Sequence, residues 1–400
     1  MPRPNDRPPI NVALVIDTSG SMKGEKIVQA REAAVQAIHR LEADDIVAVV
    51  NYDKDANVVV PATKATDVAS ITQPIETLQA GGNTALFAGV TKGAHEIRKF
   101  FDETRVNRVL LLSDGQANRG PSSPSELGRL GASLVKEGIS VSTFGLGLGY
   151  NEDLMSELAF SGSGNHLFVE SSNDLSETFA NEFNDLMSVV AGDFEIELNV
   201  ADGVRPVRVL NAEADIEGQS VYLPLTQIYS KQKRYFVVEL EVPSGKKGET
   251  KDLLSVSASF MDLMQQSSST LTSSIDVKFS DDADMVAKSC NLETLALCTV
   301  QIANERNRNA TALRDRGDVD GARALLNKNA EQLEDLRFIC AENGVDTVVD
   351  DLTLNLEMNR SQAAQIDDKD WNESRKSMRS FQNFNSVQQT YRSKTSGAKK

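Results

Sequence analysis

The sequence predicts an α/β fold in which a doubly wound, mostly parallel sheet is followed by an antiparallel β-sandwich and an α-helical C-terminal region. Up to about residue 190, apolar runs alternate with segments of helical periodicity, which is typical of a parallel sheet covered by helices on both faces. After Gly192 the apolar period becomes two, as in strands with one buried face. From about Asp282 the period is helical again.

At 400 residues the chain exceeds one ordinary hydrophobic core, because domains usually contain about 100 to 200 residues. We therefore expect an N-terminal leader, an α/β domain, a β-sandwich domain, a helical region and a polar, basic tail. These segments cover residues 1–9, 10–190, 191–281, 282–370 and 371–400.

In the first domain, the apolar runs predict six strands, over residues 10–16, 46–52, 58–61, 106–112, 139–145 and 166–170. Between the first two runs, Ile27, Ala30, Ala34 and Ala37 recur at the spacing of a helix that lies on a sheet, which predicts a helix over 25–41. Similar patterns predict helices over residues 69–78, 85–101, 125–137, 152–159 and 175–190.

In the second domain, Phe194, Ile196, Leu198 and Val200 alternate with polar residues, which indicates a strand. Further strands are expected over residues 220–225, 235–242, 253–260 and 274–279, separated by turn-forming residues as in a sandwich.

The last third of the chain shows helical spacing of apolar residues on both sides of Gly317-Asp318, which indicates two helices separated by a turn. Past Trp371 the chain is polar, rich in amides and basic, so a solvated tail is expected. Phe381, Phe384 and Tyr391 leave a docking segment as the alternative, since a solvated tail does not need aromatic residues.

Composition narrows the classes of partner. The net charge is −16 and the sequence pI is about 4.8, so the protein repels phosphate backbones, and we expect no nucleic acid partner.

No apolar stretch reaches transmembrane length and no signal peptide precedes the first strand, which predicts a cytoplasmic protein, or a secreted or surface one if a signal has been removed. Three cysteines are expected to be buried free thiols: Cys290, Cys298 and Cys340.

Three short polar segments stand at corresponding places in the predicted sheet. Asp17-Thr18-Ser19-Gly20-Ser21 follows the first strand, Gly81-Gly82-Asn83-Thr84 precedes a helix, and Ser113-Asp114-Gly115 follows the fourth strand. Open α/β sheets bind ligands beyond the carboxyl ends of their strands. Two carboxylates and three hydroxyls from these segments would form an oxygen-only site, which suits a hard divalent cation.

In order and placement, these segments resemble the metal-ion-dependent adhesion site of von Willebrand factor type A (VWA) domains, which have a Rossmann-like sheet. The resemblance covers about residues 10–190 and implies five metal-ligating residues: Asp17, Ser19, Ser21, Thr84 and Asp114. It implies that the hydroxyls hold the ion directly or through water, and that the two carboxylates hold it largely through water. Magnesium is the preferred ion, with manganese or calcium as alternatives.

The resemblance also implies a function. Neutral hydroxyls leave the cation electrophilic and its shell open, so an aspartate or glutamate of a protein partner would complete the coordination. The chain is similar to bacterial relatives of inter-alpha-trypsin inhibitor heavy chains, which implies a recognition module without enzymatic activity. Cytosolic bacterial proteins of this kind imply the alternative of an adaptor or scaffold that works with an AAA+ ATPase in complex assembly.

Other interpretations of the same residues are weaker. Taken singly, Ser19, Ser21 and Thr84 could be helix caps, but three separated segments in order favour a shared site. A magnesium-dependent phosphatase of the haloacid dehalogenase type would need a second aspartate where Ser19 stands. The Gly-rich run 145–149 lacks the spacing of a dinucleotide loop, and an aspartic protease would need a second matching loop.

Overall fold

The structure, a computed structural model, describes residues 7–367 and 370–388, and the chain divides into two compact units. The first unit contains the chain up to Ile196 together with Pro224–Arg234 and Ala258–Leu271. The second contains Glu197–Leu223, Tyr235–Ser257 and the chain from Thr272 onward. This division differs from the expected one, because two segments of the expected β-sandwich domain over 191–281, Pro224–Arg234 and Ala258–Leu271, belong to the first unit.

The first unit is built on a six-stranded sheet with the strand order β3-β2-β1-β4-β5-β6. Its strands are parallel except β3, which runs antiparallel to β2. Every residue of β1 is buried, because helices cover both faces of the sheet. The strands are β1 Ile10–Asp17, β2 Ile46–Tyr52, β3 Ala56–Lys64, β4 Val106–Ser113, β5 Ser140–Leu146 and β6 His166–Val169.

Six helices cover this sheet: α1 Glu25–Ile38, α2 Val68–Glu76, α3 Leu86–Arg98, α4 Pro124–Val135, α5 Glu152–Ser161 and α6 Leu175–Leu186. Helices α1, α2 and α6 share one apolar core with the sheet, and α3, α4 and α5 share the other. Alternate residues of β1 supply the two cores, with Leu14 on the first side and Val15 on the second. The doubly wound α/β fold expected from the sequence is confirmed.

A buried ion pair joins α6 to the sheet. Arg108 of β4 donates to Glu182 of α6 at 2.7 Å, and both side chains are at most 1% exposed. Glu182 also accepts hydrogen bonds from Ser142 and Asn165, each at 2.7 Å. Arg108 donates in addition to the phenol oxygen of Tyr229, which belongs to the segment that returns to this unit. The network thus satisfies both charges through several elements of the first unit.

The strands after residue 188 are antiparallel: β7 Val189–Val200, β8 Arg205–Val209, β9 Asp215–Glu217, β10 Ser220–Leu223, β11 Gln227–Tyr229, β12 Val238–Glu241, β13 Thr250–Asp262 and β14 Ser267–Lys278. One sheet has the order β14-β13-β7-β10-β9, with β11 also paired to β7, and β12 pairs with β8 in a second sheet. The period of two is borne out in β7, where Leu198 and Val200 are buried and Glu195 is exposed. The antiparallel strands are confirmed.

The C-terminal region is helical, as expected, with α7 Ala283–Lys288, α8 Leu292–Asp315, α9 Val319–Glu342, α10 Val349–Gln365 and α11 Trp371–Val387. The break between α8 and α9 falls at the expected place, and the Asp318 side chain caps α9 by accepting from the Gly321 amide. The three cysteines are free, but only Cys340 is buried, while Cys290 is exposed. The expectation of burial was wrong for Cys290.

The expectation of a solvated tail from residue 371 is wrong for residues 371–387, which form α11. Phe381 is 1% exposed and Phe384 is 8% exposed, so the aromatic residues that favoured a docking segment are part of a core. Several polar residues of this helix are buried as well, including Gln382 and Ser386. Residues 389–400, including Tyr391, lie outside the described residues.

Buried amide side chains connect α8, α9, α10 and α11. Asn307 of α8 donates to Asn359 and Gln362 of α10, and it accepts from Gln382 of α11 at 2.8 Å. Asn329 of α9 donates to the same Asn359 oxygen at 3.1 Å. All five side chains are at most 8% exposed. The centre of this helical region is therefore held by directional hydrogen bonds in addition to apolar packing.

Among the described residues, no helix has both the length and the apolar character needed to cross a membrane.

Candidate metal centre

The parallel sheet brings two of the three polar segments to one edge. β1 and β4 are neighbours, and their register pairs Ile16 with Leu112, so Asp17 and Ser113 follow at the same level. The Ser113 hydroxyl donates to Asp17 Oδ2 at 2.7 Å. The carboxyl ends of these strands therefore meet as the sequence predicted.

Asp17 is completely buried, with 0% of the residue exposed. Its other oxygen, Oδ1, accepts the Ser19 backbone amide at 2.8 Å. Burial raises the pKa of the Asp17 carboxyl to about 6, although hydrogen bonds from Ser19 and Ser113 favour the ionised form. At neutral pH the group is mostly ionised, and both of its oxygens already accept a hydrogen bond from the protein.

The second carboxylate, Asp114, is also buried. Its Oδ1 accepts the Ser21 hydroxyl at 2.6 Å, and its Oδ2 lies 2.5 Å from the Lys26 ammonium. Because the Ser21 hydroxyl donates its hydrogen to Asp114, the lone pairs of the Ser21 oxygen remain available to another partner. The Ser19 hydroxyl lies 3.0 Å from the Ser21 hydroxyl, so the first polar segment reaches the third.

All three hydroxyls surround a single point beside Gly115. A Cβ placed on Gly115 would lie 3.0 Å from Ser21 Oγ, 3.4 Å from Thr84 Oγ1 and 3.8 Å from Ser19 Oγ. These three oxygens come from two segments that are more than 60 residues apart in the sequence. The structure thus brings together the residues that the sequence singled out.

Backbone hydrogen bonds fix the loop that presents Thr84. The Gly81 amide donates to the Thr18 carbonyl at 2.7 Å, and the Gly20 amide donates to the Gly82 carbonyl at 3.1 Å. The Thr84 amide donates to the Asn118 side chain at 2.9 Å. Gly82 has a φ of +88°, a conformation that favours glycine. Thr84 itself is 3% exposed, so its side chain lies within the packed loop.

The chemistry of this arrangement fits a hard cation. Three neutral hydroxyl oxygens lie around one point. Asp114 accepts the hydroxyl of Ser21, and Asp17 accepts the backbone amide of Ser19. In the part of the chain that the structure describes, no three His, Cys, Asp or Glu side chains gather as metal ligands. A cation at this edge would therefore depend on serine and threonine oxygens, with only two carboxylates to balance its charge.

Sequence reasoning did not assign three residues that the structure places at this site. Ser113 donates to Asp17, Asn118 accepts from the Thr84 amide, and Lys26 pairs with Asp114. Ser113 belongs to the polar segment Ser113-Asp114-Gly115, so its place beside Asp114 could have indicated a role at this site. The pairing of Lys26 joins residues 88 positions apart, and nothing local in the sequence indicates it.

The α/β part of the first unit matches a known domain family in its sequence. Residues 11–182 match the sequence model of the von Willebrand factor type A domain. These residues form a VWA domain. VWA domains are commonly protein-interaction modules that bind a divalent cation at a metal-ion-dependent adhesion site.

Similar curated proteins include a Synechocystis protein described as uncharacterized, which is 31% identical over 212 residues, covering 52% of this chain and 50% of the relative. Human inter-alpha-trypsin inhibitor heavy chain H2 is 31% identical over 156 residues, covering 36% of this chain and 16% of the relative. The chain therefore spans half or less of the length of these two relatives.

Two solved structures share the fold over most of this chain. A von Willebrand factor type A protein from Catenulispora acidiphila has a TM-score of 0.71 at 20% identity, covering 86% of this chain and 82% of its own. The ArnB paralog VWA2 from Sulfolobus acidocaldarius has a TM-score of 0.62 at 17% identity, covering 95% and 89%. At these identities, the likeness shows the fold.

Proposed function

We propose that this protein is a non-enzymatic recognition module whose VWA domain binds a divalent cation and completes the ion's coordination with an aspartate or glutamate of a protein partner. The ligands proposed are Ser19, Ser21 and Thr84 through their hydroxyls, with Asp17 and Asp114 acting largely through water. The observation that carries the proposal is the convergence of three hydroxyl oxygens beside Gly115.

The hydrogen bonds of the two carboxylates support an open coordination shell. Each oxygen of Asp17 and of Asp114 already has a partner within the protein. Neutral hydroxyls donate little charge to the ion, so an incoming carboxylate gains more than it would at a site crowded with acids. Magnesium, which keeps water ligands readily, is the proposed ion, with manganese and calcium as alternatives.

Gly115→Ala tests the location of the site. The added methyl would stand among the three hydroxyls, so we expect Mn²⁺ affinity to fall about 10- to 100-fold, measured by electron paramagnetic resonance titration. Gly81→Ala is the matched control, because a Cβ there has no neighbour within 4 Å and the φ angle is ordinary. Equal Mn²⁺ affinity in the two variants would place the cation elsewhere.

Thr84→Ala tests the bridging role. Without this hydroxyl we expect loss of Mn²⁺ binding by about 100-fold and loss of partner capture in a pull-down, with the thermal transition of the protein retained. Asp17→Ala is expected to lose capture in the same way. Thr91→Ala is the control, since Thr91 is an exposed threonine of α3 whose hydroxyl bonds only to the Phe87 carbonyl among the described contacts. Capture that survives Thr84→Ala and a chelator would contradict the proposal.

The identity and place of the partner are further proposals. We propose a cytoplasmic location and, as the alternative role, an adaptor for an AAA+ ATPase. Affinity purification from cell fractions with and without chelator, followed by mass spectrometry, tests both. Magnesium-dependent turnover of a generic phosphoester, abolished by Asp17→Asn, would instead support the phosphatase alternative.

A further inference from the structure

Lys26 places an ammonium group against the second carboxylate of the candidate metal centre. Its Nζ lies 2.5 Å from Asp114 Oδ2, with the Asp114 side chain fully buried and the Lys26 side chain 34% exposed. The same Nζ lies 3.9 Å from the position of a Cβ on Gly147, in the turn that follows β5. Lys26 therefore reaches from α1 to the rim of the site, where a partner would approach.

The stability of α1 does not explain this position. Lys26 is the second residue of the helix, and a positive charge at a helix N-terminus is unfavourable because the backbone amides there already carry partial positive charge. The side chain is held at the site by its ion pair with Asp114. The position of Lys26 must therefore be explained by the candidate metal centre.

The charges of the centre explain the position of Lys26. Asp17 and Asp114 contribute two negative charges and Lys26 one positive charge, so the centre carries one net negative charge. A bound divalent cation then leaves one net positive charge, whereas without Lys26 the loaded centre would be neutral. Lys26 repels the cation and attracts an anion, and partial burial strengthens both effects.

We propose that Lys26 tunes this centre by weakening the binding of the cation and strengthening the binding of the partner's carboxylate. The inference rests on the proposed function and deepens it, because it assigns a selectivity role to a residue outside the ligand set. A loaded centre with net positive charge favours an acidic side chain over a neutral one such as glutamine. A purely structural lysine would instead affect folding alone.

The first experiment titrates Mn²⁺ into the full chain and measures free Mn²⁺ by electron paramagnetic resonance. We expect Lys26→Met to bind Mn²⁺ about tenfold more tightly, since one repulsive charge is removed at close range. Lys26→Arg keeps the charge and is expected to stay within about threefold of the parent. Lys23→Met is the matched control, since Lys23 is exposed, lies in the same segment and has no ion pair among the described contacts.

The second experiment uses isotope-labelled acetate as the carboxylate probe and measures its paramagnetic line broadening by the Mn²⁺-loaded protein. We expect Lys26→Met to weaken acetate binding about tenfold, although the metal is bound more tightly. Lys23→Met is expected to leave acetate binding close to that of the parent. Opposite shifts for the two ligands are the signature of tuning.

The outcomes separate the two proposals. Absence of Mn²⁺ binding by the parent protein would overturn the proposed function. Mn²⁺ binding by the parent with equal or weaker binding by Lys26→Met would overturn the tuning role and leave the proposed function standing. Should Lys26→Met fail to fold, Lys26→Gln keeps a polar group beside Asp114 and is titrated in its place, with the same results expected.

Discussion

Glu182→Gln is expected to lower the free energy of unfolding of the first unit by about 3 to 5 kcal/mol. The substitution removes the charge that balances Arg108, which is completely buried and has its guanidinium 2.7 Å from Glu182. Breaking a buried pair from one side leaves an uncompensated charge in a medium of low polarity. Urea unfolding followed by circular dichroism, together with hydrogen exchange of β4 and β5 amides, measures the loss.

The control for this variant is Glu137→Gln. Glu137 pairs with Arg98 at 2.6 Å, but both side chains are more than 40% exposed. Water screens such a pair, so its loss costs at most about 1 kcal/mol. Equal losses for Glu182→Gln and Glu137→Gln would mean that the buried pair contributes no more than a surface pair.

Phe381→Ala is expected to lower the free energy of unfolding of the second unit by about 3 to 4 kcal/mol. The Phe381 side chain lies on α11 and is 1% exposed, so the substitution leaves a cavity as well as losing buried apolar surface. Trp371 is the single tryptophan of the chain and belongs to this unit, so its fluorescence during urea unfolding reports the transition.

Phe338→Ala is the matched control for the second prediction. Phe338 lies on α9 of the same unit and is 58% exposed, so its removal is expected to cost about 0.5 kcal/mol or less. A small effect of Phe381→Ala, comparable to that of Phe338→Ala, would indicate that α11 contributes little to the core.

The parallel sheet could be predicted because strands buried on both faces must be apolar along their whole length. The run that ends at Ile16 and the run that ends at Leu112 follow this rule. Parallel strands end at the same edge, so the meeting of Asp17 with the segment around Asp114 followed from the strand assignment alone. Thr84 depended on a different signal, the glycine pair before a predicted helix, because its loop is not at the end of a sheet strand.

The division into units could not be predicted from periodicity. A period of two shows that a strand has one buried face, but it does not show which other elements cover that face. Tyr229 illustrates this, since its contact with Arg108 joins residues 121 positions apart. Helix α11 was missed for another reason: Gln382 and Ser386 are polar and buried, and amide pairing satisfies them where composition indicates solvent.

The pairing of Lys26 with Asp114 was missed because it depends on tertiary structure. A lysine early in a helix is usually solvated, and only the fold places Asp114, the residue after β4, beside it. The ligand set was accessible because its members share a sheet edge. The ion pair of Lys26 with Asp114 could be found only from the tertiary structure.

The amide network of the helical region constrains how this part of the sequence can evolve. Asn359 accepts from two helices at once, and Asn307 both donates to α10 and accepts from α11. A substitution at one position leaves a buried polar group of a neighbouring residue without a hydrogen-bond partner. This lowers the free energy of unfolding by about 1 to 3 kcal/mol. We therefore expect substitutions at these sites to be accepted in combination, with residues of α8, α9, α10 and α11 changing together during evolution.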